Sequence, residues 1–285
     1  MDIHAEINKL SYKPFLCRNL NIVDIKDLAT GLSTKSSFLL QIDPKNQYAV
    51  SWWVSAKRTR SYPYARVYDT LSFSGKKVTI IPIYKDEGAD GDRDFLQWDT
   101  LSLMSLLQVN VIIGYYNCAI KSNSYNNKIK KQRFDIDYIN EQIIALSSFH
   151  SDALHWNLLQ ANLAPAIAHK AVDAYKRISA AVGVQMHSAQ TISRIIDQIS
   201  MSADEFKRVS RNHAHSAQSR EIATLQPKEK INRAEKASIT INNYLGGKYY
   251  FTADEARIIN GDLHLVECKH SKSASLPSIN DIKDG

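Results

Sequence analysis

Two apolar runs in the first half of the chain have the pattern of buried strands. Residues 77–84 read KVTIIPIY and residues 109–116 read VNVIIGYY. Between them, residues 93–108 place apolar side chains three to four positions apart, which is typical of a helix. Because parallel strands covered on both faces are continuously apolar, this order predicts a strand–helix–strand unit. Residues 66–73, followed by the turn signal Ser74-Gly75, predict a hairpin that leads into the first of these strands.

The middle of the chain has the spacing of helices. Over residues 155–180 the apolar side chains recur every three to four positions, and we expect helices throughout 135–245. The segment 228–245 is predicted to be the last of them, because Gly246-Gly247 is a typical C-terminal stop. Residues 121–133 are polar, basic and poor in apolar side chains, so we predict an exposed loop or linker there.

A hairpin is predicted near the end of the chain. The dipeptide Asn260-Gly261 is a strong signal for a two-residue type I′ turn. Strand-like residues precede and follow it, over 249–259 and 262–270. With a turn of this length, Asp254 and Glu267 occupy directly opposed positions on the two strands.

Three charged side chains converge on one face of this hairpin. Lys269 lies two residues after Glu267, so the alternation of a strand puts it on the same face as Glu267 and Asp254. Opposed like charges across a sheet repel each other, which is unfavourable unless a cation lies between them. We therefore expect Asp254 and Glu267 to bind a divalent metal, which would polarise a phosphate and lower the pKa of a bound water.

This arrangement of an acid on one strand and Glu-X-Lys on the next resembles the signature of the PD-(D/E)XK nuclease superfamily, which includes most type II restriction endonucleases. The resemblance covers roughly residues 227–285, where a helix-like segment precedes the hairpin. It implies a magnesium-dependent DNA endonuclease that hydrolyses phosphodiester bonds and looks most like a type II restriction enzyme. The alternatives are a catalytically silent DNA-binding module and a repair or recombination nuclease of the same superfamily.

The resemblance also implies a role for each residue of the motif. Asp254 and Glu267 would be metal ligands, and the main-chain carbonyl of Cys268 would complete the inner shell of a Mg²⁺ ion. Lys269 would position or activate the attacking water and stabilise charge that develops on the phosphate. Glu235, on the predicted helix before the hairpin, is the candidate for a further carboxylate near the metal. An ordinary solvated hairpin with surface charges is the structural alternative.

The catalytic core implied by the resemblance is incomplete. Too few residues follow Lys269 for the strand, helix and strand that should complete it. We expect either a fragment cut inside the core or a core completed by strands of the N-terminal half. The predicted fold class is α/β, with an N-terminal mixed-sheet region at 1–134, a helical region at 135–226 and a restriction-endonuclease-like helix plus hairpin at 227–285.

Two further places in the N-terminal half resemble parts of a metal site. Asp69 and Lys85 approximately repeat the spacing of the C-terminal motif, but Ile83 stands where a glutamate is expected. The loop that follows is acidic, and its Asp90-X-Asp92-X-Asp94 alternation is typical of loops that bind Ca²⁺ or Mg²⁺. Because no terminal glutamate lies at the required distance, we favour a solvated loop that interacts with the dipole of the following helix. The acids of this segment are Asp86, Glu87, Asp90, Asp92, Asp94 and Asp99.

Composition indicates a globular protein with a polyanionic partner. Of 285 residues, 44% are hydrophobic and 23% are charged, and the net charge is +7. No apolar run approaches the ~20 residues that span a membrane. Three scattered cysteines fit a reducing compartment and exclude a zinc cluster of the usual spacing. We therefore expect a cytoplasmic protein that binds double-stranded DNA, and a homodimer, since cutting both strands usually requires two active sites.

One segment combines basic and aromatic side chains in a way that suits DNA. Arginines and lysines neutralise phosphates, and tyrosines stack on unpaired bases. A partly buried hairpin with a basic rim would have the same pattern. The residues predicted to contact DNA are Lys57, Arg58, Arg60, Tyr62 and Tyr64.

Overall fold

The computed structural model describes residues 2–11, 17–52, 64–187, 197 and 237–266. They form a mixed α/β fold, which confirms the predicted class. The strands are β1 (Asp2–Ile7), β2 (Ile22–Asp24), β3 (Ser37–Asp43), β4 (Asn46–Trp52), β5 (Lys77–Pro82), β6 (Tyr84–Asp86), β7 (Arg93–Phe95), β8 (Val109–Gly114), β9 (Tyr116–Lys121), β10 (Ile129–Phe134), β11 (Ala237–Asn243), β12 (Lys248–Ala253), β13 (Glu255–Ile259) and β14 (Asp262–Val266). The helices are α1 (Leu28–Thr34), α2 (Tyr64–Tyr68), α3 (Trp98–Leu106), α4 (Ile136–Ser147) and α5 (Ala153–Val182).

A five-stranded sheet in the order β2-β3-β4-β5-β8 lies at the centre of the fold. β4, β5 and β8 run parallel, whereas β3 is antiparallel to β4. The predicted strand–helix–strand unit is confirmed as β5, α3 and β8, although the start of the predicted helix forms β7 instead. Val78, Ile80 and Ile112 are fully buried, because both faces of these strands are covered.

Helix α5 provides hydrogen-bond partners for the outer edge of this sheet, where β8 is the last strand among the described residues. Asn157 accepts a hydrogen bond through Oδ1 from the Val111 N–H at 2.7 Å, and Gln160 accepts one through Oε1 from the Ile113 N–H at 3.0 Å. The indole of Trp156 donates to the Val111 carbonyl at 2.7 Å. Side chains of a helix thus take the place of a neighbouring strand, and the main-chain groups of β8 are buried without being left unpaired.

A three-stranded sheet joins residues from opposite ends of the chain. β1 pairs in parallel with β11, and β11 pairs antiparallel with β12, so β11 is the central strand. This sheet packs against α3 of the first half. Asp99 accepts a hydrogen bond from the Lys248 N–H at 2.8 Å, and the hydroxyls of Ser102 and Tyr249 lie 2.7 Å apart. The two halves of the chain are therefore held together by buried polar contacts.

The helix predicted over 228–245 is wrong in its described part. Residues 237–243 form β11, whose sequence ASITINN is rich in β-branched side chains. Gly246-Gly247 forms the turn between β11 and β12, and Gly246 has a φ of 81°, which glycine adopts without strain. A pair of glycines is typical of a hairpin turn as well as of a helix end. The prediction of a helix that ends at Gly246-Gly247 was wrong for this reason. Glu235 lies outside the described residues.

The hairpin predicted over 66–73 is also wrong, because this segment begins in the short helix α2 and continues as a turn. Val67 and Leu71, four positions apart, are both buried in the core. Asp69 between them is buried too, and its carboxylate accepts a hydrogen bond from the Ser37 hydroxyl at 3.4 Å. The comparison with the C-terminal motif required Asp69 to lie on a strand, but Asp69 lies in a turn.

The predicted helical middle is confirmed by α4 and by α5 up to Val182. α5 begins after Asp152, whose side chain accepts a hydrogen bond from the His155 N–H. It ends at Gly183, which adopts the left-handed conformation that commonly terminates helices. The helical spacing predicted beyond residue 187 falls largely outside the described residues.

The exposed linker predicted at 121–133 is wrong in part. Residues 129–134 form β10, which pairs antiparallel with β9. Ile129 is buried in the hydrophobic core, so this strand is anchored in the fold and is not a linker. The polar connection is restricted to residues 122–128.

Candidate functional site

The hairpin of β13 and β14 has the predicted turn and register. Ile259 pairs with Asp262 across the turn, and the ladder continues without a bulge to the pair of Glu255 and Val266. Asn260 and Gly261 have φ angles of 54° and 89°, and two positive values are the mark of a type I′ turn. The local pattern of this hairpin is therefore confirmed.

Asp254 lies at a bend one residue beyond this ladder. The single strand predicted over 249–259 is divided there, since β12 pairs with β11 and β13 pairs with β14. The side chain of Asp254 is half-buried. The other residues of the predicted metal site lie outside the described residues, and they are Glu267, Cys268, Lys269 and Glu235.

The neighbouring acid, Glu255, is engaged in an ion pair on the surface of the hairpin. The Arg257 guanidinium donates two hydrogen bonds to its carboxylate, at 2.6 and 2.8 Å. The hydrogen bond with Arg257 holds the pKa of Glu255 below its ordinary value. Glu255 also pairs with Val266, so it lies on the opposite face of the hairpin from the predicted Asp254–Glu267 pair, and Asp254 is the better candidate for a metal ligand by register.

One face of the hairpin is apolar and exposed. Ile258 pairs with Leu263, and Ala256 pairs with Leu265, so these four side chains share a face. Ile258 is 70% exposed, Leu263 is 39% exposed and Leu265 is 47% exposed. Among the described strands, β13 and β14 pair only with each other. The expectation that the N-terminal sheet completes this hairpin is therefore wrong for the described part of the chain.

The acidic segment after β5 is only in part the solvated loop that was predicted, because Asp90 and Asp92 are exposed whereas Asp86 is buried and Asp94 lies in β7. The carboxylate of Asp86 is fully buried and accepts three short hydrogen bonds, from the Tyr84 hydroxyl at 2.7 Å, the Gly88 N–H at 2.8 Å and Nδ1 of His187 at 2.6 Å. The Tyr175 hydroxyl lies 3.0 Å from the Asp86 nitrogen and accepts its hydrogen bond. This network ties the segment after α5 to the loop that begins at β6.

His187 was not singled out from the sequence. It lies 101 positions after Asp86, and no local spacing links the two residues. A histidine close to a carboxylate in the sequence would have indicated such a pair, but Asp86 and His187 belong to different elements. The contact is created by packing of the segment that follows α5.

The next acids of the segment are also held by partners. Glu87 lies 2.6 Å from the Lys85 ammonium and 3.0 Å from that of Lys128. Burial would raise the pKa of Glu87, but these two ammonium groups hold it below its ordinary value. Asp90 accepts a hydrogen bond from the Asn127 N–H at 2.9 Å. Within the part of the chain that the structure describes, no three His, Cys, Asp or Glu side chains are grouped to hold a metal ion.

The predicted DNA-contacting segment falls mostly outside the described residues. Tyr64 is the first residue of α2, and its side chain is not described. Next to this segment, the Arg66 guanidinium lies 3.9 Å from the centre of the Trp52 ring, a cation–π contact. The residues of the segment that lie outside are Lys57, Arg58, Arg60 and Tyr62.

Comparison with known proteins gives no matching family model, no matching curated protein and no matching solved structure. In the described ranges, no helix is both long and apolar enough to cross a membrane. Function must therefore be inferred from the residues themselves.

Proposed function

We propose that this protein is a magnesium-dependent DNA endonuclease that hydrolyses phosphodiester bonds in the manner of a type II restriction enzyme. The observation that carries the proposal is the register of β13 and β14, which follows the Asn260-Gly261 turn without a bulge. One further step of the same register would set Asp254 against Glu267, with Lys269 on the same face. That is the charge arrangement from which the motif was inferred.

The donor set suits a hard cation. Mg²⁺ prefers carboxylate and carbonyl oxygens, and the motif offers the carboxylates of Asp254 and Glu267 and the main-chain carbonyl of Cys268. Asp254 is half-buried, and a carboxylate that is partly shielded from water attracts a cation more strongly. A bound Mg²⁺ supplies polarisation of the phosphate and a lowered pKa for its water.

The side chains of the motif would carry out the remaining steps. Asp254 and Glu267 would hold the ion opposite the scissile phosphate. Lys269 would orient the attacking water and neutralise the charge that develops on the phosphate oxygens. Glu235 would add a further carboxylate from the segment that precedes β11.

Double-stranded DNA is the proposed substrate. The net charge of +7 supports a polyanionic partner, because lysines and arginines that neutralise phosphates release counterions. Lys57, Arg58 and Arg60 would contact phosphates, and Tyr62 and Tyr64 would stack on unpaired bases. A homodimer would supply the two active sites that cutting of both strands requires.

The test is nicking of supercoiled plasmid in the presence of magnesium. Asp254→Ala and Glu267→Ala are each expected to reduce nicking to background, while DNA binding measured without metal stays largely intact. Glu255→Ala and Asp262→Ala are matched controls, because each removes one acid from the opposite face of the same hairpin. These controls should cut normally. Undiminished nicking by either of the first two variants would remove the motif from the mechanism.

A DNA-binding module that does not cut is the second candidate. It is favoured by the position of Asp254, which lies at a bend beyond the β13–β14 ladder. In that case the unaltered protein binds DNA but leaves the plasmid supercoiled with magnesium present. The same assay therefore separates the two candidates.

A further inference from the structure

An open groove lies at the starts of β4 and β5. It is bordered by the turn between β3 and β4, by the loop before β5 and by the last residue of α4. Its cavity volume is about 630 Å³, which falls within the range of roughly 300–1,000 Å³ typical of small-molecule sites. The described residues that line it include Lys45 and Lys76 but no carboxylate. The two lysines give the groove a positive charge, which the nearby Asp43 carboxylate reduces on the Lys45 side.

Lys76 is held in place by main-chain carbonyls, and no carboxylate of the described residues forms an ion pair with it. Its ammonium donates hydrogen bonds to the main-chain carbonyls of Leu146 and Phe149, both at 2.7 Å. An ammonium has three N–H donors, and the third has only the face of the Tyr48 ring, whose centre is 5.8 Å away, as a further contact among the described residues, so it is open to a ligand. Burial lowers the pKa of Lys76, which reflects the loss of water around the charge. A partly desolvated cation gains more from an anion than a fully solvated one.

Lys45 is the second cation of the groove. It follows the end of β3, in a turn that is fixed by Asp43, whose carboxylate accepts hydrogen bonds from the N–H groups of Lys45 and Asn46. The turn is therefore ordered, while the Lys45 residue itself is exposed. Its ammonium can reach a ligand in the groove without a change in the backbone.

An aromatic surface and a fixed amide complete the groove. The Phe73 ring is half-buried and packs so closely on Gly75 that a Cβ at Gly75 would lie 2.6 Å from a ring carbon. Tyr48 also lines the groove and is buried. The Gln47 side-chain nitrogen donates to Gln41 at 2.5 Å, which orients the Gln47 amide. A ring for stacking and an amide for hydrogen bonding on one groove are a combination that recognises nucleobases.

We propose that this groove binds a nucleotide unit, with the phosphate between Lys45 and Lys76, the base on Phe73 and the edge of the base against the Gln47 amide. A free 5′-nucleotide and a nucleotide within a single DNA strand offer the same chemical groups. The site is separate from hairpin β13–β14 and uses no metal. It therefore goes beyond the endonuclease activity and does not depend on it.

The experiment is a calorimetric titration with 5′-deoxyadenosine monophosphate in the presence of a chelator. One molecule should bind per chain, and inorganic phosphate and deoxyadenosine should each bind at least about tenfold more weakly. Lys45→Gln should weaken nucleotide binding by about tenfold, equivalent to about 1.4 kcal/mol. The matched control is Lys26→Gln, which removes the same charge from an exposed position that does not line the groove. This control should bind as the unaltered protein does.

A second variant tests the aromatic surface without removing a charge. Gly75→Ala displaces the Phe73 ring in an exposed loop, so nucleotide binding should fall while the thermal unfolding temperature changes little. A short single-stranded oligonucleotide is titrated in parallel. Tighter binding than the mononucleotide identifies the DNA strand as the source of the ligand, and equal or weaker binding identifies the free nucleotide.

Three results would overturn the assignment. They are the absence of saturable binding of either ligand, equal weakening by Lys26→Gln and Lys45→Gln, and inorganic phosphate that binds as tightly as the nucleotide. Asp254→Ala should bind the nucleotide normally, because it lies outside the groove. If Asp254→Ala loses cleavage but retains nucleotide binding, the endonuclease site and the nucleotide groove are separate, so the two proposals can be tested independently.

Discussion

Replacement of Asn157 by leucine should strongly destabilise the fold, because this side chain serves the outer edge of the central sheet. Asn157 is 2% exposed. Its Oδ1 accepts from the Val111 N–H at 2.7 Å, and its Nδ2 donates to the Val109 carbonyl at 3.1 Å and to the Ser105 hydroxyl at 2.9 Å. Leucine has a similar volume but can form none of these hydrogen bonds.

The magnitude follows from the groups left without a partner. Two main-chain groups of β8 would be buried and unsatisfied, and each costs about 1–3 kcal/mol, so the expected loss is about 4 kcal/mol. This is a large part of the roughly 5–15 kcal/mol that stabilises a typical domain. Gln160→Leu leaves one main-chain group of β8 unpaired, the Ile113 N–H, and should cost about half as much. Leu159→Ala, at a position 43% exposed, should change stability by less than about 1 kcal/mol.

The three variants are compared by urea unfolding followed by circular dichroism. The expected order of destabilisation is Asn157→Leu, then Gln160→Leu, then Leu159→Ala, with similar dependence on urea concentration. A cost below about 1 kcal/mol for Asn157→Leu would show that water satisfies the edge of β8 as well as α5 does. The same conclusion would follow if Asn157→Leu and Leu159→Ala were equally destabilising.

Two further predictions concern the loop after β6 and the end of α5. Gly88 has a φ of 92°, and a Cβ there would lie 2.3 Å from the Asn127 carbonyl oxygen, so Gly88→Ala should cost at least about 3 kcal/mol in urea unfolding. Gly183 has a φ of 62° and open space around it, so Gly183→Ala should cost only about 1 kcal/mol. Equal costs for Gly88→Ala and Gly183→Ala would contradict the steric clash with the Asn127 carbonyl. Because the pKa of Glu87 is held below its ordinary value of 4.5, its carboxylate stabilises the fold above pH 4.5 and this contribution is lost as the pH falls through the lowered pKa. Glu87→Gln should therefore flatten the acid side of the thermal stability profile, and an unchanged profile would show that its ion pairs contribute nothing.

Elements specified by their own residues were predicted well. β5 and β8 are buried on both faces, so each is apolar along its length, and α3 has helical spacing between them. The Asn260-Gly261 turn sets the register of β13 and β14 through local backbone geometry alone. These features depend on residues that are close together in the sequence, so they can be predicted from one sequence alone.

Elements specified by distant partners were not predicted. The β-branched side chains of residues 237–243 favour a strand, but the partners β1 and β12 on its two sides cannot be identified from the segment itself. The bend at Asp254 arises where the chain leaves one sheet and enters another. The contact between Asp86 and His187 depends on the packing of α5, and the nucleotide groove is assembled from three separate segments. Such sites require the fold before they can be recognised.

The pairing of β1 with β11 has a consequence for the order in which the molecule folds. β11 and β12 are joined by a short turn and can close as a local hairpin, whereas β1 pairs with a strand 236 positions later, as in the pair of Asp2 and Ser238. The pairing of Asp2 with Ser238 closes a loop of 235 intervening residues. The conformational entropy of this loop must be lost before the contact between the strands is gained. On the ribosome, the first strand therefore emerges with an open edge and keeps it until residue 243 is available. During that interval an unpaired strand is exposed to pairing with other chains.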